Sequence, residues 1–449
     1  MKKNIIIIIA LFLTILLADL PMGLSPEWNG ENMYHRNQYE LLAESMLKGH
    51  VYIEYAPIYS TKLSQMENPY DTEEREKLSI PYKWDHAYYK GRYYVYFGVV
   101  PAVVTFLPFR LLTGKSLKTY HATQIYVGLF IIGIYFLFYY LKKKTKVKIN
   151  DAEYILASVS VSLASVWYAI DYPALYTTAI TSGMMFSIWS IYFYIKAYLE
   201  KDKKLKNILI GAFLGALIFG CRPTLGFTNL LFFPALISLI KSEKKENKVI
   251  VAILTFIPFV FIGLLLMLYN YTRFDSVFEF GQKYQLTAVD QTNMLSENLN
   301  LKHFTTELKK FLFYTEPFGD TFPYIKYFGL FFNYPMLIIP IITIFSKKFR
   351  NVLKKHKLLS IYLLIIISII FSTVFIVLMC PYVIVRYQMD VVYLLGILLY
   401  INYLFLKKNS WINLLFLIIF IDLFMKTFLL YWIPDMYNYP SHLYKRVRH

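Results

Sequence analysis

The sequence predicts an all-α protein, a polytopic membrane helix bundle of about 11 transmembrane helices with a large first extracytoplasmic loop bearing surface helices. Hydrophobic residues make up 57% of the chain, and charged residues only 17%. A soluble protein has about a quarter charged residues. The charges fall in short bursts between long apolar runs. This pattern is typical of a chain whose solvent is mostly lipid.

The candidate spans are apolar segments, some of them short enough to require tilt or local thinning of the bilayer. They are 4–20, 121–141, 153–170, 175–198, 207–221, 225–241, 249–270, 328–346, 358–379, 389–406 and 411–432. The start resembles a signal peptide, but no small-x-small cleavage site follows its apolar region. We therefore predict an uncleaved first helix with a cytoplasmic amino terminus.

The basic loops predict the topology. They are 142–148, 201–206, 241–248, 347–357 and 407–408. With eleven spans all of them fall on the cytoplasmic side, as the positive-inside rule requires. Because a further span at 97–113 would invert this order, we predict that 97–113 is interfacial or re-entrant. The net charge of +18 is then explained by loop lysines and arginines in a multi-pass protein of the cell (plasma) membrane, and nucleic acid is not an expected partner.

This topology makes residues 1–449 a single membrane domain with two large extracytoplasmic loops, 22–118 and 271–327. In the first loop, Asn37–Lys48 has the apolar spacing of an amphipathic helix, and Gly49 follows as a plausible C-cap. Further along the same loop, Lys90-Gly91 predicts a turn between two aromatic strands or extended segments.

The stretch from Tyr82 to Gly98 is dense in tyrosine and contains Trp84, Asp85 and His86. Tryptophan and tyrosine are also the residues of an interfacial belt. The alternative is a sugar-binding wall, in which aromatic faces stack on sugar rings while Asp85 or His86 bonds hydroxyls or transfers a proton. The stretch has no metal-ligand spacing.

Three arginines follow apolar segments on the predicted outer side, namely Arg222, Arg273 and Arg386, the last followed by Tyr387. An arginine at the membrane edge must snorkel, pair or bind an anion. Guanidinium forks suit phosphate, so the three could hold a lipid phosphate or diphosphate. Contact with the headgroups of membrane lipids is the simpler alternative.

Two further features lie within the apolar segments. Asp422 and Lys426 are spaced i, i+4 in the last span and can pair on one helix face. A proton or ion path is the functional interpretation of that pair. The cysteines Cys221 and Cys380 have no partners at metal spacing and are interpreted as small membrane-buried thiols.

The order of these features resembles the GT-C superfamily of membrane glycosyltransferases, which includes the protein O-mannosyltransferases (family 39) and the lipid A aminoarabinose transferases. The stretch from Gln38 to Gly49 is similar to that family's Arg-Tyr…Ala…Met-Leu-x-Gly stretch. Val99-Val100-Pro101-Ala102, leading to Thr113-Gly114, resembles its Pro-Pro-Leu segment. Trp84–Gly98, Gly220–Thr224 and Phe278–Gln285 look like segments of an uncharacterised bacterial branch.

The resemblance implies an enzyme that moves a sugar from a polyprenyl-phosphate lipid to a cell-envelope acceptor on the outer face. A carboxylate would accept the acceptor's proton while an arginine stabilises the departing phosphate. A divalent metal could assist, although no ligand set is evident.

One position departs from the family, which carries an acidic residue where this chain has His35. Asp85 is the favoured substitute and Glu40 the second, ahead of Asp71 and Asp19. Two other functional classes remain open. A transporter or flippase of lipid-linked or anionic solutes would use the same arginines, and a non-catalytic envelope assembly protein would not need the missing acid.

The topology is testable by single-cysteine labelling in intact cells. We expect cysteines placed at 145 and 245 to resist a membrane-impermeant thiol reagent, because lysine and arginine excess keeps these loops cytoplasmic. External labelling at either position would rule out this topology.

Overall fold

The computed structural model describes residues 2–24, 37–313, 329–407 and 410–427. Its helices are α1 (Lys2–Leu24), α2 (Gln38–Leu47), α3 (Ile58–Thr61), α4 (Thr72–Lys77), α5 (Leu107–Thr113), α6 (Thr119–Thr145), α7 (Asp151–Asp171), α8 (Leu175–Leu199), α9 (Lys204–Phe219), α10 (Phe232–Ser242), α11 (Lys248–Phe274), α12 (Met294–Asn298), α13 (Leu301–Phe313), α14 (Leu330–Asn333), α15 (Ile339–Thr343), α16 (Lys347–Lys355), α17 (Leu359–Met379), α18 (Met389–Leu406) and α19 (Ser410–Thr427). A π-helical turn, Ala102–Phe106, leads into α5, and the 3-10 segments Pro223–Leu231 and Val385–Gln388 lead into α10 and α18. The described residues form one sheet, an antiparallel hairpin of β1 (His86–Tyr89) and β2 (Arg92–Val95).

Eight segments of the described chain are long and apolar enough to cross a membrane, judged by length and composition. They are Ile5–Gly23, Thr119–Thr145, Asp151–Asp171, Pro223–Ser242, Lys245–Phe274, Leu359–Met379, Val385–Leu406 and Ser410–Thr427. Each overlaps one of the spans predicted from the sequence. The helical, multi-pass membrane character of the prediction is therefore supported.

The other three predicted spans have a different character. α8 is 25 residues long, but Ser, Thr and Tyr interrupt its apolar sequence, and most of its residues are buried. α9 has only 16 residues, and the segment predicted at 328–346 contains the short helices α14 and α15. The total of eleven spans remains a prediction. The apolar helix Ala102–Thr113 is shorter than the roughly 20 residues of a usual span, and the interfacial or re-entrant position of 97–113 stays a prediction.

Burial is distributed as expected for a bundle in lipid. In the Val385–Leu406 span, 94% of the most apolar 18-residue stretch is buried inside the protein, which makes α18 the central helix. By contrast, only 11% of the most apolar 18-residue stretch is buried in the Lys245–Phe274 span and 17% in the Ile5–Gly23 span, and their large aliphatic side chains point outward. Such apolar surface is unfavourable in water but neutral against lipid tails. These two peripheral spans are also more apolar than the central one.

Ion pairs neutralise charges at the ends of the described helices and within them. Lys426 lies 3.2 Å from Asp422 on α19, so the predicted i, i+4 pair is formed, on a partly exposed helix face. Lys407 binds Glu153, which joins the end of α18 to the start of α7. These contacts give both pairs a structural role.

Residues 37–118 pack onto the bundle. In α2 the apolar face predicted from the sequence is buried through Tyr39, Leu42 and Ala43, and the Tyr39 ring stacks on Phe106 at 5.5 Å. The predicted Lys90-Gly91 turn joins β1 to β2, so the first loop contains a short hairpin in addition to surface helices.

The two long loops are joined by backbone pairing. Ala87 of β1 bridges to Gln285 of the second loop, and the Leu286 N–H donates to the His86 carbonyl at 2.9 Å. The buried Arg75 side chain donates to the Thr287 carbonyl at 2.7 Å. The loops therefore form one layer over one end of the bundle, which we term the loop layer.

A close backbone approach anchors this layer to the helices. The Val100 N–H donates to the Gly220 carbonyl at 2.8 Å, at the end of α9. A Cβ at Gly98 would lie 2.2 Å from the same oxygen. Only glycine at position 98 permits this contact.

We expect Gly98→Ala to lower stability by about 1–3 kcal/mol, because its Cβ would meet backbone that cannot move aside. The measurement is thermal unfolding of the purified protein in detergent. Gly263→Ala on α11 is the matched control, since a Cβ there meets nothing within 4 Å. Equal stability of the two variants would contradict the proposed anchor.

Candidate functional site

Asp85 begins the hairpin in a left-handed backbone conformation, with φ of 56°. Aspartate is among the few residues that tolerate this region, and such strain persists only where the surroundings hold it. Here the Asp85 N–H donates to the Leu286 carbonyl at 2.9 Å, and the Asp85 carbonyl accepts from Gln38 at 3.0 Å. The backbone of both loops therefore determines where the Asp85 side chain points.

The Asp85 carboxylate is buried, with the residue 7% exposed. Its Oδ2 accepts a hydrogen bond from the Tyr176 hydroxyl, and its Oδ1 accepts one from Gln285 Nε2 at 3.0 Å. Burial raises the pKa of Asp85, while the Tyr176 hydrogen bond and the Arg386 charge act in the opposite direction. The result is a buried carboxyl group with a proton affinity above that of an exposed aspartate.

The Arg386 guanidinium lies between aromatic rings. Its central carbon is 4.1 Å from the centre of the Tyr176 ring and 5.6 Å from that of Tyr387. Arg386 is half-buried, and its charge is close enough to Asp85 to act on it. Within the described residues, no hydrogen bond or ion pair engages this guanidinium. Its donors are available to a ligand.

Arg222, unlike Arg386, forms an ion pair within the protein. Its Nε lies 2.8 Å from both oxygens of Asp390, which is fully buried at the start of α18. The Thr224 hydroxyl also donates to Asp390, at 2.7 Å. In the part of the chain that the structure describes, the two terminal nitrogens of Arg222 make no hydrogen bond. The ion pair holds Arg222 through one edge and leaves the fork free.

Both arginines meet at Tyr387, because the Arg222 guanidinium lies 5.1 Å from the same ring. We term Asp85, Arg222, Arg386 and Asp390 the charged cluster. Asp390 neutralises Arg222, so the remaining interaction is between Arg386 and Asp85. Such a cluster can bind an anion on its guanidinium groups and exchange a proton on Asp85.

Glu40, the second candidate base, has a structural role. Its Oε1 accepts from the Thr119 N–H at 2.9 Å and from the Thr119 hydroxyl at 3.1 Å, which caps the start of α6. Burial raises the pKa of Glu40 and the Thr119 hydrogen bonds oppose that rise. Asp71 caps α4 by accepting from the Glu74 N–H at 3.0 Å, in keeping with its predicted turn role.

Two other predicted residues flank Asp85 in the sequence. Trp84 is half-buried and its indole approaches Asp85. His86 is fully buried, with Nε2 2.8 Å from the Tyr55 hydroxyl and Nδ1 2.8 Å from the Trp84 carbonyl, so it anchors the hairpin.

Arg273 was expected to share the cavity with the other two arginines. It instead donates to the Val95 carbonyl at 2.8 Å and to Asn270 Oδ1 at 2.7 Å. No described contact joins it to the cluster. Those two acceptors bind the terminal nitrogens of Arg273 at the end of β2, so Arg273 fastens the hairpin to α11. Its buried Nε has no hydrogen-bond partner among the described residues.

Sequence reasoning missed Asp390, Tyr176 and Gln285. A signal for Asp390 was present, because an acid beginning an apolar helix needs a cationic partner and Arg222 also borders a span. Tyr176 and Gln285 are ordinary polar residues in separate segments. Only the folded chain brings them to Asp85.

No family model matches this chain, and no curated protein or solved structure matches it either. The resemblance noted in the sequence therefore stays a prediction. His35, at the position where the family has an acid, lies outside the described residues. Among the described residues, no three or more His, Cys, Asp or Glu side chains are grouped to hold a metal ion. Assistance by a divalent metal likewise stays a prediction.

We expect Asp390→Asn and Arg222→Met each to lower stability by about 3–5 kcal/mol, because each leaves a buried charge without its partner. The double variant Arg222→Met/Asp390→Asn should recover most of the loss, since it removes both charges. Thermal unfolding of purified protein measures all three. A double variant as unstable as the sum of the single variants would show that the two residues act independently.

Proposed function

We propose that this protein is a membrane glycosyltransferase that moves a sugar from a polyprenyl-phosphate donor to a cell-envelope acceptor on the outer face. The observation that carries the proposal is the Arg386 guanidinium, which has no hydrogen bond or ion pair among the described residues and lies close to the buried Asp85 carboxylate. It supplies a phosphate-binding group next to a proton acceptor.

The arginine geometry favours a phosphate ligand. Guanidinium N–H groups bind phosphate oxygens in pairs, and these charge-assisted bonds are stronger than neutral ones. The Arg222 and Arg386 guanidiniums lie 5.1 Å and 5.6 Å from the centre of the Tyr387 ring, and the ligand we propose is a phosphate group that accepts from both. A charge held among aromatic rings is costly without a partner, and a phosphate ligand would offset that cost.

Asp85 supplies the second half of the chemistry. In transfer, the acceptor hydroxyl gives its proton to Asp85 and its oxygen forms a bond to the anomeric carbon of the sugar. The bond from that carbon to the phosphate oxygen breaks, and the negative charge left on the lipid phosphate is stabilised by Arg386. The raised pKa of Asp85 makes it a stronger base than an exposed aspartate.

Aromatic side chains around the cluster are suited to the sugar. Tyr96, Tyr176, Tyr387 and Trp84 are all half-buried, so each keeps some accessible surface. Ring faces pack against the apolar faces of sugars, and tyrosine hydroxyls bond sugar hydroxyls. Together with the sequence resemblance, these residues support a glycosyl donor over a simple inorganic anion.

The test uses purified protein in lipid nanodiscs with a panel of undecaprenyl-phosphate monosaccharides. We expect Asp85→Asn to bind the donor but to lose about 100-fold or more in sugar release, because the proton acceptor is gone. Arg386→Gln should weaken binding of undecaprenyl phosphate itself. Arg92→Gln is the matched control, since Arg92 also lies over a tyrosine ring, Tyr52 at 4.5 Å, but outside the cluster.

Two outcomes would contradict the proposal. Unchanged binding of undecaprenyl phosphate in Arg386→Gln would remove the phosphate site. Movement of an intact lipid-linked sugar across a vesicle membrane, with no sugar released, would instead favour the transporter class.

A further inference from the structure

A chain of buried amide groups leads from the second loop to Asp85. Gln291 Nε2 donates to Gln285 Oε1 at 2.9 Å, and Gln285 Nε2 donates to Asp85 Oδ1 at 3.0 Å. Gln291 also donates to the Thr287 hydroxyl at 3.2 Å. Gln285 and Gln291 are only 6% and 8% exposed. Water therefore competes little for these hydrogen bonds.

This chain of hydrogen bonds determines which way the Gln285 amide faces. An amide has one accepting end and one donating end, and the two differ in what they can bind. Gln291 donates a hydrogen bond to the amide oxygen of Gln285. The Gln285 NH₂ group therefore faces Asp85. A rotated amide would place an oxygen against the carboxylate oxygen, which is repulsive. Gln291 thus acts on Asp85 through Gln285.

We propose that Gln285 and Gln291 are positioning residues of the second loop, which hold the Asp85 carboxylate in its ionised, proton-accepting form. This inference rests on the proposed function only for its consequence in catalysis. The hydrogen-bond chain and its effect on Asp85 are independent of what the substrate is.

Other groups that face Asp85 are accounted for. Tyr176 donates to the second carboxylate oxygen from the start of α8, and the Arg386 charge acts from the segment before α18. Tyr82 and Tyr96, on either side of Asp85 in the chain, are the other titratable groups that sense it. The Trp84 indole, on the residue before Asp85, also acts on the carboxylate. None of these groups makes a described hydrogen bond to the Gln285 amide.

The sign of the effect follows from the donor. A hydrogen bond to the charged carboxylate favours that form and lowers the pKa of Asp85, against the rise that burial causes. Without the Gln285 donor, fewer interactions offset the rise in the pKa of Asp85 that burial causes. The pKa of Asp85 then moves up, and the carboxylate takes its proton at a higher pH.

The experiment follows the protonated carboxyl stretch of Asp85 by infrared difference spectroscopy as the full-length protein is titrated, with Asp85→Asn to assign the band. We expect Gln285→Met to raise the midpoint by about one pH unit. Gln291→Met should raise it by less, because Gln285 remains but can rotate. Where sugar transfer is measurable, the acidic limb of its pH profile should move by the same amount.

Gln282→Met is the matched control. Gln282 belongs to the same loop and donates to the Met379 carbonyl at 2.7 Å, but it makes no described contact with Asp85. Its midpoint should equal that of the unaltered protein. Equal midpoints in Gln285→Met, Gln291→Met and the unaltered protein would overturn the inference. A shifted midpoint in a protein without transferase activity would uphold it and refute the proposed function alone.

Discussion

The ion pair between Arg222 and Asp390 organises the site. Asp390 begins the most buried helix of the bundle, where an unpaired carboxylate would be very costly. Arg222 supplies the cation that Asp390 needs. Because Arg222 binds through Nε, its terminal nitrogens make no described hydrogen bond. Tyr387 and Arg386 immediately precede α18, so the same pair determines where they lie. Two guanidinium groups consequently share one aromatic ring.

The loop layer adds the carboxylate to this arrangement. Asp85 is remote in sequence from both arginines, and its position depends on backbone bonds to Leu286 and on the Gln38 amide. A strained backbone at Asp85 is tolerated because both loops hold it. The bundle thus supplies the two guanidinium groups, while the loops supply the buried carboxylate and the amide groups that bind it.

Much of the fold was predictable because the bilayer imposes a simple rule on composition. Long apolar runs become helices, since lipid leaves every backbone polar group to be satisfied within the chain. Ser- and Tyr-rich α8 departs from that rule because it packs inside the bundle, where length and burial matter more than hydropathy. Asp85, Arg222 and Arg386 were identifiable as polar residues near membrane-level segments. The partners of Arg273 were not predicted, because residue type alone does not reveal that its terminal nitrogens bind the Val95 carbonyl and Asn270.

The sequence by itself determined that most of the chain is suited to a lipid environment. It also determined the positions of most helices, the turn of the hairpin and the residue types able to bind phosphate. These follow from local composition and spacing, which need no knowledge of distant contacts. Only the tertiary structure decided which partners the charged residues have. Glu40 became a helix cap, His86 a hairpin anchor and Asp85 the carboxylate beside Arg386. The physical reason is that hydrogen-bond satisfaction and burial are set by neighbours in space, which a linear pattern does not specify.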